Sequence, residues 1–489
     1  MNLLRESLDL DELFGKDRAQ EDSNLEKYFV KTKQYQEIYS GNKELVLGRK
    51  GAGKSSLFSI LGKELPRAGK IVVSVSPKGE DYVQIKQNVQ KYMDISLDED
   101  FKYALVWKDF IISELSLAII EKTETPELKK YLKENGKVDD SFAVRFTKSI
   151  FKVFGDANLK AKAGDMEVGF NINFSELFSV MNSPDLKKVK EEIESAVSKN
   201  EFFVLFDNLD EPWKNNKEMN SWLRGLILSM RQLKRDFNNL KLVSFLRNDI
   251  FDEISKGSDL FDSRSEITRI SWVDDNNYSL KKLLATRVAV YFDRKKPSTL
   301  NEFDDLWKLI FPEKVNFKSG KWIWASKYVI DRTFSRPREF LQFCRLAIEK
   351  SRSKNIPVPY DSIISASREF SDWKLSDLVG EHSKTYTNID ACILSSAGAT
   401  DRSWKASHQK LIKHFDETED DQKIFSLSDD RYLNSVDTVK FLHKCGFLRQ
   451  VIGKDKKRFL TYEDENFFNP KSATFDVHPA FRNKLSTHG

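Results

Sequence analysis

The sequence predicts an α/β fold: a parallel sheet flanked by helices and carrying a helical insertion, followed by a helical lid and a winged-helix-like C-terminal domain. Three observations lead there. Short apolar strands alternate with helical patterns over the first 277 residues, the order that places parallel strands between layers of helices. A glycine-rich turn joins the first of those strands to a helix. Beyond residue 278 helical spacing dominates until a strand pair near the end.

Glu44–Leu47 is a short apolar strand, and Ser55–Leu61 has the helical spacing of Leu57, Ile60 and Leu61. Lys70–Ser76, Glu201–Phe206 and Lys241–Leu246 read as three further buried strands. The stretch from Lys54 to Asp207 is longer than a bare nucleotide-binding core needs, so an insertion is expected at about 100–200. It shows helical patterns over 104–122 and 184–199 and an alternating hairpin pattern over 159–174. Pro337 suits the first turn of a helix whose apolar face is Phe340, Leu341, Cys344, Ala347 and Ile348. Ile356–Pro359 reads as a linker. Helices near 375–385, 387–396, 403–415 and 435–445 then precede a ribbon of 447–452 and 457–462. The expected domains are a core over 1–277, a lid over 278–355 and a C-terminal domain over 360–489.

The turn Gly48-Arg49-Lys50-Gly51-Ala52-Gly53-Lys54-Ser55 satisfies G-x-x-x-x-G-K-[ST] between a strand and a helix, which makes this a P-loop. Glycines let successive N–H groups face phosphate oxygens, Lys54 reaches the β and γ oxygens, and Ser55 ligates Mg²⁺. Gly48, Lys50, Gly51, Ala52, Gly53, Lys54, Ser55 and Ser56 are therefore the candidate ATP-binding positions. The apolar run Phe202–Phe206 ends in Asp207, the candidate second ligand of the metal. Asn208 follows where many ATPases place a glutamate base, so Asp210 or Glu211 is left to polarise water. Arg247, ending the next strand, is the candidate γ-phosphate sensor. Arg336 and Arg338 are cations at the start of the lid helix, and Arg338 is the preferred one. Arg264 and Arg269 are placed for a neighbouring subunit's finger. Tyr28 and Phe29 suit either adenine contact or the core.

Composition excludes other classes. The chain of 489 residues is 40% hydrophobic and 32% charged with a net charge of +5, a globular balance that neither demands nor excludes nucleic acid. All six histidines lie between His382 and His488, so the first 381 residues hold no histidine-based acid/base pair or metal site. Cys344, Cys392 and Cys445 lack ligand spacing, an acidic N-terminus lacks signal character, and no apolar run spans a bilayer. A cytoplasmic protein with no membrane association is expected.

Phe14-Gly15, Tyr28-Phe29, GRKGAGKSS, VLFDNLDEPW, FLRND, SRPREFLQF and the late FDVHPAF together resemble the FunZ-type bacterial P-loop ATPases, relatives of the STAND, KAP and AAA+ groups. The resemblance implies an ATPase core, a sensor arginine at Arg247, a lid with Pro337 and Arg338 near the nucleotide, and a winged-helix-like end. It also implies links to mobile elements and antiphage defence beside a separate effector protein.

The expected function is an ATP-driven switch that regulates a protein effector, with a homo-oligomer left open. Two alternatives stand beside it: a nucleotide-gated DNA-binding loader like the initiator ATPases, and an ATP-binding scaffold with little turnover. Lys454, Lys456, Lys457 and Arg458 would serve DNA, yet residues 371–489 hold 18 basic and 18 acidic residues and present no basic field. Arg402 and His408 match a ribonuclease-type spacing. His408 is better explained as a packing residue on a helical face with Trp404, Leu411 and Phe415. His478 is expected to pack the C-terminal tail.

Overall fold

The computed structural model describes residues 8–16, 18–89, 98–137, 141–155, 184–211, 213, 216–256, 264–273, 278–316, 320–351, 356–452, 457–459 and 474–486. These form two compact units: Lys31–Arg49 with Gly53–Ile270, and Met1–Val30 with Lys50–Ala52 and Ser271–Gly489. In this grouping Met1–Val30 and the loop tip fall in the same unit as Ser271–Gly489.

The first unit is built on five strands: β1 (Leu45–Leu47), β2 (Ile71–Val75), β3 (Phe202–Phe206), β4 (Leu240–Leu246) and β5 (Ile267–Arg269). All pair in parallel in the order β2-β3-β4-β1-β5. Strand β4 thus lies between the strand before the glycine-rich loop and the strand that ends at Asp207. Central β3 is buried at every position, whereas edge strand β2 alternates, with Ile71, Val73 and Val75 inside. Each fully buried phenylalanine of β3 contributes roughly 1.5–3 kcal/mol of apolar burial.

Helix α1 (Lys54–Arg67) follows the loop, and the insertion between β2 and β3 contains α2 (Glu99–Ile120) and α3 (Pro184–Lys199). The expected hairpin at 159–174 lies outside the described residues. Asp98 caps α2 by accepting from the Phe101 amide. The insertion encloses a buried polar knot in which the Lys137 ammonium donates to Asp109, Ser113 and Ser149, while Lys152 and Tyr131 donate to Asp109. With every donor matched, the buried charges are tolerable.

Helix α4 (Lys217–Asp236) crosses α2 at Gly225, where a Cβ would meet Tyr103 Cβ at 2.4 Å and the Ala104 nitrogen at 2.8 Å. Trp107 and Trp222 pack beside this crossing with ring centroids 4.9 Å apart. Only glycine allows the approach, and its helix-propensity penalty is accepted for it. Gly225→Ala is expected to destabilise the fold by about 2 kcal/mol or more despite alanine's better propensity. A lowered denaturation midpoint checks this, and an unchanged or raised one contradicts it.

The second unit has one continuous apolar core running from Leu13 and Phe14 to Leu485. Its helices include α6 (Tyr278–Tyr291), α7 (Leu300–Ile310), α8 (Ala325–Ile330), α9 (Pro337–Glu349) and α10 (Tyr360–His382), with α5 (Asn248–Ser255) belonging to the first unit. Tyr28 is buried, donates to Asp22 and lies under the Arg287 guanidinium, 3.8 Å from its centroid. Tyr28 is therefore a core residue and not an adenine contact. The expected linker at 356–359 is docked: the Val358 side chain is buried and its amide donates to the Ile310 carbonyl at 2.8 Å. The helix expected near 375–385 is the end of the longer α10, which packs on α9 through Phe343 and Phe370 at 5.0 Å.

A hairpin of β6 (Lys314–Asn316) and β7 (Trp322–Trp324), which the sequence reading did not anticipate, precedes α8. The C-terminal segment contains β8 (Tyr386–Thr387), α11 (Ile389–Ser395), β9 (Lys405–Ser407), α12 (His408–Glu417), β10 (Phe425–Ser426), β11 (Arg431–Tyr432) and α13 (Ser435–Lys444). It ends in β12 (Leu448–Ile452), β13 (Lys457–Phe459) and β14 (Thr474–Val477). The expected two-stranded ribbon is part of a four-stranded antiparallel sheet, β13-β12-β14-β9. Trp404 precedes this segment's helix α12 with φ +65°, so it does not share a helical face with His408. His478 is buried edge-on to Phe334 at 4.7 Å, as a packing residue. Lys454 and Lys456 lie outside the described residues. No described helix is long and apolar enough to cross a membrane.

Candidate nucleotide site

The glycines of the loop answer to backbone geometry. Gly51 and Gly53 have φ of +80° and +102°, a region open to glycine at little cost. Gly53 caps α1, so the free N–H groups at the start of that helix follow directly. Gly48 differs from the expectation for a phosphate donor: its amide is spent on the Leu246 carbonyl at 3.1 Å, extending the β1–β4 ladder.

Within the first unit, the candidate side chains converge at the carboxyl ends of the strands. The Lys54 ammonium is buried and donates to the carbonyls of Gly48 at 2.9 Å and Arg49 at 3.3 Å. Burial pushes its pKa down, while Asp210 and Asp207 favour its charge. Asp207 is 2% exposed. Burial pushes its carboxyl up to about 6, against a hydrogen bond from Ser55 and the nearby Lys54 charge. Its Oδ2 atom is buried without a hydrogen-bond partner, a position that normally has a partner or an ion. An orphaned carboxylate oxygen beside the Ser55 hydroxyl is a hard-oxygen pair that fits Mg²⁺, which takes few protein ligands and completes its shell with water and phosphate. No cluster of three or more metal-ligating acidic, His or Cys residues occurs among the described residues. Ser56 follows in the first turn of α1, half-buried.

Asn208 has φ +59° and donates from its side-chain amide to Ser76 Oγ at 3.0 Å. Asparagine tolerates this left-handed conformation better than glutamate, which gives a backbone reason for the departure at this position. An amide cannot accept a proton from water as a carboxylate does. Asp210 is one-fifth exposed and faces Arg247, with 4.0 Å from Nε to Oδ2. Arg247 is also gripped by Asp249, at 3.0 Å from Nε and 2.6 Å from Nη2. Asp249 was not singled out from the sequence, although its spacing two residues after the arginine was visible. Glu211 lies near Gly79, with Oε1 at 3.9 Å from where a Cβ would stand there.

Within the second unit, the loop tip is held through three successive carbonyls. Lys50 O accepts from Arg336 Nη1 at 3.2 Å, Gly51 O from the Arg338 amide at 3.4 Å, and Ala52 O from the Trp272 indole at 2.9 Å. The Lys50 ammonium pairs with Asp377 at 2.9 Å. Arg336 is 3% exposed and bound to Glu381 at 3.0 Å and Glu339 at 3.3 Å. Burial opposes its charge and the two carboxylates outweigh that, so Arg336 is committed to the fold. Glu339 also accepts from buried Lys374 at 2.8 Å. The Arg338 side chain, 39% exposed and 4.0 Å from Asp377, is far less constrained. Arg269 is exposed, and the Arg264 side chain lies outside what is described. Trp272 and Asp377 gave no sequence signal, since their partners lie over 200 residues away.

An Asp207 pKa raised above its unfolded value of 3.8 to about 6 means that the folded chain holds a proton the unfolded chain has released. Stability therefore falls as pH rises from about 4 to 6, and the cost is full above 6. Asp207→Asn should stabilise the metal-free, nucleotide-free protein at pH 8 by about 3 kcal/mol and have little effect at pH 4. Denaturant titrations at the two pH values check this, and destabilisation by Asp207→Asn at pH 8 contradicts it.

Residues 278–379 match the family described as the FunZ-associated C-terminal helical domain. A curated relative, a transposon gamma-delta 80.3 kDa protein of Escherichia coli K12, is 23% identical over 406 residues, covering 78% of this chain and 53% of the relative. The chain thus spans about half the length of that relative. Among solved structures, the Walker-type ATPase PABY2304 of Pyrococcus abyssi has a TM-score of 0.40 at 10% identity, covering 94% of this chain and 97% of the other. The ORC1 protein of Aeropyrum pernix, solved in complex with DNA, has a TM-score of 0.37 at 11% identity, covering 98% and 96%. A P-loop beside a strand order that sets β4 between β1 and β3 gives the first unit the fold of a P-loop NTPase, and residues 278–379 carry the likeness to the FunZ-associated C-terminal helical domain.

Proposed function

We propose that the chain is an ATP-driven switch that binds Mg-ATP at the loop and regulates a partner effector protein. The observation that carries this reading is the buried pair of Lys54 and Asp207, with an unpartnered Asp207 oxygen beside Ser55. Mg²⁺, when bound, would neutralise phosphate charge. Lys54 would orient the β and γ oxygens, exchanging the Gly48 and Arg49 carbonyls for them. Asp210, which faces Arg247 and acts on the Lys54 charge, is proposed over Glu211 to accept a proton from the attacking water, and Arg247 would report the γ-phosphate by leaving Asp249. Arg338 is proposed as the movable cation, supported by its place at the loop tip. Slow turnover suits a switch, and Asn208 supports it.

A regulatory role tied to mobile elements or antiphage defence is supported by the FunZ-type match and by the transposon relative. A cytoplasmic setting is in keeping with three buried free thiols. The loader reading is favoured by one observation. In α11-β9-α12-α13-β12-β14, β14 lies between β9 and β12, an order that supports a winged helix and hence DNA.

Lys54→Ala should weaken ATP binding by about 10–100-fold, as expected for losing a charge-assisted contact, without changing the circular dichroism spectrum. Asp210→Asn should lower kcat about tenfold or more with ATP affinity retained. Retained ATP affinity in Lys54→Ala would overturn the site, and unchanged kcat in Asp210→Asn would remove Asp210 from the chemistry.

A further inference from the structure

The β6–β7 hairpin has two unlike faces. Val315 is fully buried and Ile323 packs against the core, which anchors one face. On the other, Trp322 and Trp324 are 52% and 50% exposed. Two tryptophans left half in water at alternate positions of one short strand run against the tendency of large rings to be covered. The register sets a donor across from each ring: Asn316 opposite Trp322 and Lys314 opposite Trp324. The Lys314 ammonium stands 5.3 Å from the Trp324 ring centroid, and Trp322 is braced edge-on by Tyr360 at 5.5 Å. Lys321 is exposed just before Trp322. Residues 314–327 contain four lysines and no acidic residue. The acids flanking the hairpin are paired, Glu313 with Lys308 at 3.9 Å and Asp331 with Lys327 at 2.9 Å.

We propose that the outward face of this hairpin, through Trp322 and Trp324 with Lys314, Asn316 and Lys321, binds single-stranded nucleic acid. Positions i and i+2 of a strand are about 6.6 Å apart, so ring and donor repeat at a spacing that can serve successive nucleotides. Tryptophan stacks on any base, and lysines track the backbone. The chemistry discriminates against other partners. Protein interfaces are enriched in tryptophan but depleted in lysine, so four lysines with no acid over 314–327 favour a polyanion over a protein partner.

The test uses the full chain without nucleotide, titrated into labelled oligo-dT and oligo-U of about 20 nucleotides, a duplex of the same length, and vesicles containing phosphatidylserine. The proposal expects either single strand to bind in preference to duplex and vesicles. Trp322→Ala with Trp324→Ala should weaken binding about tenfold or more with the circular dichroism spectrum of the folded chain retained. Trp322→Phe with Trp324→Phe should stay within about threefold, since stacking survives. Lys321→Glu should flatten the slope of log affinity on log salt by about 0.7, the value for one single-strand phosphate. Unaltered affinity in the double alanine variant, equal loss in the double phenylalanine variant, or binding to duplex or vesicles in preference to single strands would overturn the proposal.

Discussion

The fold of the first unit is arranged around two opposite charges that water scarcely reaches, the Lys54 ammonium and the Asp207 carboxylate. Burial alone would discharge both, since it lowers the lysine pKa and raises that of the acid. Each is kept useful by the other and by groups the fold supplies: loop carbonyls for Lys54, and the Ser55 hydroxyl for Asp207. That balance leaves an acid poised near pH 6 with one bare oxygen. A divalent cation and a polyphosphate would relieve the strain on both charges at once. The site is therefore held ready at a cost in stability, as functional sites commonly are.

The loop tip is constrained from its carbonyl side. A loop whose N–H groups must face phosphate turns its carbonyls the other way, and here those of Lys50, Gly51 and Ala52 are met by Arg336, Arg338 and Trp272. The Arg336 contact is stiff, because its guanidinium is buried among Glu381, Glu339 and Lys374. Asp377 and Glu381, on α10, tie the same tip to the start of the C-terminal segment through Lys50 and Arg336. A change in loop conformation has a short mechanical route to α10 through these contacts. That route gives the proposed switch a physical form.

Local features were legible in the sequence, and long-range ones were not. The strand, loop and helix around Lys54 follow from periodicity and glycine spacing over some twenty residues, and Asp207 from the apolar run that it ends. The role of Arg336 was hidden, because its burial depends on Glu381, a residue of the next helix. Ile356–Pro359 has the composition of a linker, yet Val358 finds a pocket and the Ile310 carbonyl. Composition reports flexibility only when nothing packs against the segment. Trp404 and His408 matched a helical period that the positive φ of Trp404 interrupts. The N-terminal thirty residues gave no sign that Tyr28 would stack under Arg287. The tryptophans of the hairpin carry no mark in the sequence of the face they occupy, which the pairing register sets.

Asp207 is proposed as the residue through which a metal ion reaches the nucleotide, and calorimetric titration of ATP with and without Mg²⁺ tests that most directly. For the unaltered chain, Mg²⁺ is predicted to tighten ATP binding about tenfold or more, and for Asp207→Asn to leave it nearly unchanged while metal-free ATP still binds. The same Mg²⁺ enhancement in both proteins would contradict the account.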